Sequence, residues 1–450
     1  MTTASLAPVT FAGRWAEAVA ARGSEPFLIF LGSDGRTTAW SYAAFDDFVA
    51  RVAGRCAALG VARGSAVHLV LRSSPAFVAG WLAVARLGAW MVPSDPGTPI
   101  AGLADQLRRT RPVVGICGLG REAAYREAIA LATEDHGRPE VVVVDEDDPA
   151  PAELLGDPAD ADEAAAGPGP RPEDRLAVLF APDPAGPAVA SDGPADPAVP
   201  DPPEPASASD GPVAPVAPDP ADPAVSAARW VELTQGHYAF AGAVMAAAAA
   251  VRPGDRHLVV LPLHTANAQA YSFAAAITAG ASVALVHGFS ASGFLVQAKV
   301  LQATGASLLA DSIRAILASG ANPVEGLQLR HCWYAPWGGL TADEHQRFAG
   351  LVGCRPRLAH GTTETLAAVV ADRPLAPHPD RGPEPVLGYE VQLRDDQLQV
   401  RGVPGRTLFA GYLDDPVATR ASTERLPDGS GWFTTGPRPP RPSRTRPGRG

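Results

Sequence analysis

Apolar and polar residues in the first third of the chain alternate between two periods, which predicts helices and strands in turn. Apolar residues recur at helical spacing between Ser41 and Leu59, with Ser41 as the predicted N-cap. Continuous apolar runs at residues 66–71, 113–117 and 141–144 predict buried strands. Because strands and helices that alternate at this interval form helix-covered layers, we expect a parallel or mixed sheet.

The same alternation resumes at Trp230 and changes after Gly388. A predicted helix at residues 237–251 is followed by a buried strand at residues 257–261. Beyond Gly388 short strands, including one predicted at residues 407–409, are separated by glycine and proline turns. The predicted fold class is therefore α/β, with two helix-covered sheets and a small β-barrel-like subdomain.

Shifts in composition divide the chain into five predicted segments. These are a first α/β subdomain at residues 1–180, a disordered insert at 181–228, a second α/β subdomain at 229–375, a β-rich subdomain at 376–436 and a disordered basic tail at 437–450.

The insert carries most of the net negative charge of the chain. Residues 181–228 hold eight acidic residues, no basic residue, no aromatic residue and fourteen prolines. Such a segment buries too little apolar area to offset its ordering entropy, so we predict that it is disordered. It contributes −8 to the net charge of −11, which leaves −3 for the remainder. The acidity therefore belongs to a linker, and nothing in the charge pattern indicates a nucleic-acid partner.

Composition excludes two further classes. No apolar run approaches the roughly 18 residues that cross a bilayer, so we expect no membrane span. The N-terminus lacks the pattern of a secretory signal, and the four cysteines have no paired spacing. We therefore expect free thiols, rather than disulfides or a metal site, in a cytoplasmic protein.

Four short motifs carry the chemistry, and their order is more informative than any one of them. Each alone is structural far more often than catalytic. In chain order they are Trp337-Gly338-Gly339, His360-Gly361-Thr362-Thr363-Glu364-Thr365, Gly411-Tyr412-Leu413 and Gly431-Trp432-Phe433-Thr434-Thr435-Gly436.

In this order and spacing the motifs resemble those of the adenylate-forming superfamily, and most closely its carnitine-CoA-ligase-like members. The resemblance implies ATP-dependent activation of a small carboxylic acid to an acyl-adenylate, followed by transfer to coenzyme A. It also implies Mg²⁺ as a cofactor, with a carrier protein or a second copy of the chain as further partners. The fold it implies is the N-terminal body of such enzymes, without their C-terminal lid domain.

The resemblance also implies roles for individual residues. Glycines 338 and 339 would lie against adenine, as would His360, which stands where the family usually has an aromatic residue. Thr363 would contact phosphate, and Glu364 would hold Mg²⁺. The remaining residues implied in nucleotide binding are Gly361 and Thr362.

A loop after Pro262 resembles the lining of the acyl pocket. It contains His264, Thr265 and Asn267, and the histidine that the family usually has there aligns with either His264 or Thr265. A second interpretation leaves His264 as a polar residue that caps a strand end.

Three departures from the family pattern oppose catalysis. Where the family has a loop of the form T-S-G-T-T-G-x-P-K-G, this chain has the acidic, proline-rich segment 182–228, which repels phosphate and offers few N–H donors. The family's ribose-binding aspartate is replaced by Pro437. Lys299, the single lysine of the sequence, matches neither of the family's lysines.

The resulting hypothesis is a ligase-family protein whose own adenylation activity is lost or strongly impaired. Two alternatives stay open. One is a non-catalytic pseudoenzyme that binds an acyl group or a protein partner. The other is an ATP-dependent diazotase-like relative in natural-product biosynthesis.

Overall fold

The structure is a computed structural model that describes most of the chain. The described residues are 9–132, 137–164, 166, 169–181, 229–335, 339–373 and 383–437. Ala181 and Pro437, at the predicted boundaries of the insert and the tail, each end a strand. The rest of the predicted disordered insert and of the predicted basic tail lies outside the described residues.

The described residues form helices and strands in an alternating order. The α-helices are α1 (Phe11–Arg22), α2 (Tyr42–Ala58), α3 (Pro75–Arg86), α4 (Ile100–Thr110), α5 (Glu122–Ala132), α6 (Pro158–Ala164), α7 (Gln235–Ala249), α8 (Ala275–Ala279), α9 (Phe294–Val300), α10 (Ala310–Ala318), α11 (Ala342–Val352) and α12 (Pro416–Ser422). A π-helix, Asn267–Ala274, leads directly into α8, and short 3-10 turns lie at Leu119–Arg121 and Ala152–Leu154.

The strands are equally regular. They are β1 (Pro26–Leu31), β2 (Thr37–Ser41), β3 (Ala66–Val70), β4 (Trp90–Ser94), β5 (Val114–Gly118), β6 (Glu140–Val144), β7 (Arg175–Ala181), β8 (Arg229–Thr234), β9 (Arg256–Val259), β10 (Ser282–Val286), β11 (Gly305–Leu309), β12 (His331–Ala335), β13 (Pro356–His360), β14 (Val370–Ala371), β15 (Glu384–Pro385), β16 (Glu390–Arg394), β17 (Gln397–Gly402), β18 (Gly411–Tyr412), β19 (Thr423–Arg425) and β20 (Gly431–Pro437).

Local sequence signals explain where the helices begin. Ser41 caps α2 as predicted, because its hydroxyl accepts a hydrogen bond from the N–H of Ala44 at 3.2 Å. Ser74 caps α3, in which Pro75 occupies the first turn, where its missing N–H costs no helical hydrogen bond. At α11, Thr341 and Glu344 form a reciprocal capping box.

The strands form three sheets. A nine-stranded sheet has the order β15-β14-β13-β12-β11-β9-β10-β1-β2, and a seven-stranded sheet has the order β18-β8-β7-β4-β3-β5-β6. The four strands β16-β17-β20-β19 form an antiparallel sheet. The predicted α/β class with two helix-covered mixed sheets is confirmed. Within the described residues the β-rich region is an open sheet of four strands and shows no closed barrel.

Sheet membership does not follow the predicted subdomain boundaries. Strand β1 pairs in parallel with β10, so an N-terminal strand completes the sheet of the second half. Conversely, β8 pairs with β7, and β18 pairs with β8, in the sheet of the first half. The boundaries stay a prediction, and the two large sheets each draw strands from both halves of the chain.

One predicted strand is wrong. Thr407 and Leu408 lie in a turn region, where an isolated bridge joins Leu408 to Pro404. The Thr407 carbonyl accepts a hydrogen bond from the Tyr389 hydroxyl at 3.1 Å, and the Thr407 hydroxyl accepts one from the N–H of Val403 at 2.8 Å. Polar groups that close a turn in this way leave less of the backbone for a sheet ladder.

Helices from both halves of the chain share one aromatic cluster. Phe11 of α1 stacks on Trp81 of α3 with ring centroids 5.0 Å apart, and Tyr238 of α7 lies 5.7 Å from Trp81. Phe273 of the π-helix completes the cluster, 6.1 Å from Trp81. Because all four rings are fully buried, they hold the helices of the two halves together.

Within the described part of the chain, no helix has the length and apolar character that crossing a bilayer requires.

Two buried histidines lie side by side in the nine-stranded sheet. His257 of β9 and His331 of β12 are each 1% exposed, with ring centroids 5.3 Å apart. Gly305 of β11 lies between them, and a Cβ there would overlap the His331 ring. None of the four ring nitrogens has a hydrogen-bond partner among the described residues. Burial lowers the pKa of His257 to about 4 and that of His331 to about 3.

These histidines predict a loss of stability in acid. Both pKa values fall below the ordinary value near 6.5, so the stabilisation is complete above that pH and declines as the pH falls towards 4. The slope is about 1.4 kcal/mol per pH unit for each histidine. The charges facing the pair are the Asp255–Arg330 ion pair and Arg357.

The measurement is urea unfolding of the wild type and of His257→Leu between pH 7.5 and 4.5. We expect the variant to lose stability with a smaller slope, because one buried histidine that titrates in this range is gone. Parallel slopes for the two proteins would show that the histidine pair does not control acid stability.

Candidate active site

The loop after β13 is held in one conformation by its own residues. A Cβ on Gly361 would overlap the carbonyl oxygen of Ala367, so only glycine fits there. The Thr365 hydroxyl accepts a hydrogen bond from the N–H of Thr362 at 2.9 Å and donates to Ala367 O at 2.9 Å. The chain then returns as β14, antiparallel to β13. This fold-back places Thr362, Thr363 and Glu364 just beyond the carboxyl end of β13 in the nine-stranded sheet.

Glu364 connects this loop to the seven-stranded sheet. Its side chain is buried, and Oε1 accepts a hydrogen bond from the Tyr412 hydroxyl at 2.9 Å. Its carbonyl accepts a second bond from the N–H of Phe409 at 2.8 Å. Tyr412 belongs to β18, which pairs with β8. The carboxylate that the family resemblance assigns to Mg²⁺ is therefore fixed between two sheets.

An arginine extends this contact. The Arg229 guanidinium lies 5.1 Å from the centre of the Tyr412 ring and donates to its hydroxyl at 3.3 Å. Burial, assisted by the Glu364 charge, raises the pKa of Tyr412, so its hydroxyl stays protonated and donates to the carboxylate. Arg229 begins β8 opposite Ala181, at the point where the β7–β8 pair reaches segment 182–228.

His360 lies at the end of β13 and faces the four-stranded sheet. Its Nε2 lies 3.4 Å from the Thr435 hydroxyl, which donates to the carbonyl of Leu398 at 3.1 Å. Burial lowers the pKa of His360 to about 4, so the ring is neutral near pH 7. The Thr362 hydroxyl is buried without a hydrogen-bond partner among the described residues, which leaves it free to contact a ligand.

The predicted glycine turn is described only in part. Gly338 lies outside the described residues, as does Trp337. Gly339 has a φ of +62°, a conformation that glycine adopts without strain. Its carbonyl accepts a hydrogen bond from Arg314, whose guanidinium also pairs with Glu344 of α11 at 2.8 Å. The end of this turn is therefore tied to α10 and α11.

The predicted acyl-pocket residues make distinct contacts. The Thr265 hydroxyl donates to the carbonyl of Pro262 at 2.7 Å, within the loop that follows β9. His264 Nε2 lies 4.0 Å from the Asp95 carboxylate, and burial lowers the pKa of His264. Asn267 accepts a hydrogen bond from Ser307 at 2.6 Å. Of the three, His264 reaches towards the seven-stranded sheet.

The two predicted loops are neighbours in the fold. An added Cβ on Gly361 would lie 2.9 Å from the Tyr271 hydroxyl, so the π-helix packs against the loop after β13. His237 Nε2 lies 3.0 Å from the carbonyl of Thr365, and the Tyr389 hydroxyl donates to the same oxygen at 2.9 Å. The predicted nucleotide loop and the start of the predicted acyl pocket therefore share one wall.

Comparison with known proteins decides the family. The model of the family described as AMP-binding enzyme matches residues 15–225 and 230–413, most of the chain. The chain belongs to the AMP-binding enzyme family.

Relatives of this AMP-binding enzyme point to coenzyme A ligases. It is 25% identical to a crotonobetaine/carnitine–CoA ligase of Salmonella paratyphi B over 446 residues, 94% of this chain and 76% of the relative. The ligase of the same name from Citrobacter koseri is also 25% identical, with the same coverage of both chains.

Solved structures support the fold. A long-chain-fatty-acid-CoA ligase from Archaeoglobus fulgidus superposes with a TM-score of 0.73 at 14% identity, covering 95% of this chain and 81% of that one. The anthranilate CoA ligase AuaEII, solved with anthranoyl-AMP, gives 0.70 at 16% identity, with 97% and 79% covered. At these identities the likeness shows the shared α/β fold.

Enzymes of the AMP-binding family use ATP, Mg²⁺ and coenzyme A. The residues present fit Mg²⁺ in part. Within the described ranges, no group of three or more His, Cys, Asp or Glu side chains forms a metal-binding cluster. Glu364 is a single buried carboxylate, so a Mg²⁺ ion there would take its other ligands from phosphate oxygens and water, as this ion commonly does.

Sequence reasoning missed two residues of the site. It treated Tyr412 as part of a family motif without a role, and it resumed the family pattern only after Arg229. Tyr412 contacts Glu364 from 48 positions away, and Arg229 contacts Tyr412 from 183 positions away. The position of Arg229, next to the interrupted loop, was a signal for a cation at this place.

The Glu364–Tyr412 hydrogen bond predicts a measurable coupling energy. Tyr412→Phe removes a donor from a buried carboxylate and should lower the free energy of unfolding by about 1–3 kcal/mol. Glu364→Gln should also destabilise, and the double variant should lose less than the sum of the two. Urea unfolding of all four proteins measures this difference, and strictly additive losses would show that the bond contributes no stability.

Proposed function

We propose that this AMP-binding enzyme binds the adenylate part of the family's nucleotide substrate, and that its own ATP-dependent adenylation activity is strongly impaired. In acyl-CoA ligase chemistry a carboxylate oxygen attacks the α-phosphorus of ATP, and pyrophosphate leaves. The thiol of coenzyme A then attacks the acyl carbon, and AMP leaves. The relatives named as CoA ligases support this reaction class, with a small carboxylic acid as the substrate.

The observation that carries the proposal is the chain of contacts from Arg229 through Tyr412 to Glu364. These contacts link the Arg229 cation to the Glu364 carboxylate through one phenol. Arg229 lies at the end of the β7–β8 pair that borders segment 182–228. The carboxylate would hold Mg²⁺, which when bound would neutralise phosphate charge. The guanidinium would contact phosphate oxygens directly, because its planar N–H groups match them. We assign the neighbouring Thr363 and the unpaired hydroxyl of Thr362 to phosphate contacts as well.

Nucleoside contacts would come from the loops at the other side of the site. We assign the adenine wall to Gly338, Gly339, His360 and Gly361. His360 is neutral near pH 7, so its ring can stack on a base without bringing a second charge into the buried site. The acyl group would lie along the π-helix side, where we assign contacts to His264, Thr265 and Asn267.

The proposed impairment of adenylation follows from the few phosphate-binding groups that the sequence provides for the β- and γ-phosphates. Segment 182–228 replaces a loop of glycine amides and hydroxyls with prolines and acidic side chains. Lys299 lies near the end of α9 with its side chain beside Gly326, and it matches neither of the family's lysine positions. Removing one preorganised donor commonly lowers the rate by roughly 10²–10³-fold, and several are changed together here.

The test separates binding from catalysis. We expect calorimetry to show binding of AMP, and carboxylate-dependent exchange of pyrophosphate into ATP to run roughly 10³-fold or more below that of an active CoA ligase. Exchange at the rate of an active ligase would overturn the impairment. Absence of AMP binding would overturn nucleotide recognition, and binding of an acid alone would then favour the non-catalytic acyl-binding alternative.

The role of Arg229 has its own prediction. Arg229→Gln should weaken ATP binding roughly tenfold or more, because a charge-assisted hydrogen bond to phosphate is lost. AMP affinity should change less, since the outer phosphates are absent. The matched control is Arg175→Gln on the adjacent strand, whose guanidinium stacks 4.7 Å from the Trp90 ring and pairs with Glu232.

Calorimetry with ATP and AMP reads out both variants. Equal losses for the two nucleotides, or an equal loss in Arg175→Gln, would exclude a specific phosphate contact of Arg229.

A further inference from the structure

Two of the four free cysteines face each other. Cys332 is the second residue of β12 and is fully buried, whereas Cys354 follows the C-terminal end of α11 and is half-buried. Their sulfur atoms lie 3.9 Å apart, in direct contact. The strand β13 that follows Cys354 pairs with β12, and Pro356 is the register partner of Cys332. Strand pairing therefore holds the two thiols together.

The other two cysteines have a different environment. Cys56 lies on the buried face of α2, and Cys117 lies inside β5. Burial raises the pKa of both thiols to about 12, which makes them poor nucleophiles near neutral pH. They provide an internal reference for thiol reactivity within the same chain.

The two thiols of the Cys332–Cys354 pair differ in pKa and in exposure. A hydrogen bond with Cys332 lowers the pKa of the Cys354 thiol, and the Arg357 guanidinium acts in the same direction. Sharing that proton raises the pKa of Cys332, and its burial adds to the effect. Because Cys354 is also the more exposed of the two, it is the thiol that an oxidant reaches first.

We propose that Cys332 and Cys354 form a redox modification site, which a peroxide converts to an intramolecular disulfide. The Cys354 thiolate attacks one oxygen of hydrogen peroxide, the O–O bond breaks, and the protein carries a sulfenic acid at position 354 while hydroxide takes up a proton as water. The Cys332 sulfur then attacks the sulfenic sulfur, and a second water leaves with the Cys332 proton. Two thiols are oxidised by two electrons, and one peroxide is reduced to two waters.

The geometry needs only a small movement. A disulfide requires the sulfur atoms to approach from 3.9 Å to about 2.0 Å, which side-chain rotation can supply between segments that are already paired. The closed loop would span positions 332 to 354 and would include Gly339 and α11. Oxidation would therefore covalently close a loop that contains the turn that we assign to the adenine wall, although the bond itself does not depend on nucleotide binding.

The experiment uses the full chain treated with a small excess of hydrogen peroxide at pH 7.5 and analysed by intact mass under denaturing conditions. We expect the loss of two hydrogen atoms and of two of the four free thiols, reversed by dithiothreitol. Peptide mapping should join the peptides of Cys332 and Cys354. The double variant C56S/C117S should react like the wild type, because its changes lie outside the pair.

Single variants test the assigned order of the steps. In Cys332→Ser, dimedone should trap a sulfenic acid at position 354, since no resolving thiol is present. In Cys354→Ser, neither a bridge nor an adduct at Cys332 should form under the same conditions. A disulfide between two chains, an adduct on Cys56 or Cys117, or a wild type without the bridge would overturn the proposal.

A physical readout complements the chemistry. The bridge restricts the unfolded chain, so the oxidised wild type should unfold at a higher temperature than the reduced wild type. The same treatment should leave Cys354→Ser unchanged. A lower unfolding temperature after oxidation would show that the native fold cannot accommodate the bond, and would contradict the proposal.

Discussion

The hydrogen bond from Tyr412 to Glu364 holds the candidate site together. A buried carboxylate is costly unless its oxygens are satisfied, and here the phenol of one sheet satisfies the carboxylate of another. The backbone of Glu364 is held as well, through its carbonyl and the N–H of Phe409. If the bond were absent, the loop after β13 would keep its internal threonine contacts but would lose its tie to β18. The same bond orders the Tyr412 ring over which Arg229 lies, so cation and carboxylate depend on one phenol.

This contact is available because the large sheets exchange strands. Tyr412 reaches Glu364 only because β18 leaves the β-rich region and pairs with β8 in the seven-stranded sheet. In the same way, β1 leaves the first half and pairs with β10 in the nine-stranded sheet. Such exchange ties distant segments of the chain into both sheets, and the shared aromatic cluster around Trp81 closes the gap between them. The site therefore lies where two mutually anchored sheets meet.

Sequence reasoning predicted the elements whose signals are local and missed those that depend on tertiary contacts. The cap at Ser41 and the apolar runs of β3 and β5 could be predicted, because burial and capping leave a pattern within a few residues. Helices α1, α4 and α5 and strand β2 were not predicted, since their apolar faces are short or interrupted by polar residues. The site loop was predicted as a motif, yet the roles of Tyr412 and Arg229 were not predicted, because their contacts join residues 48 and 183 positions apart.

The structure is compatible with the proposed replacement of the phosphate loop by segment 182–228. Strands β7 and β8 flank segment 182–228 and pair with each other at six register positions, and most of their residues are buried. Closing a longer loop costs little, since each doubling of its length adds only about 0.6 kcal/mol. The replaced loop in the family serves ligands, whereas the walls around His360 and Glu364 are also part of the packed interior. Changes in that loop would therefore remove phosphate contacts at small cost to stability. Changes in the walls would remove ligand contacts and also destabilise the fold.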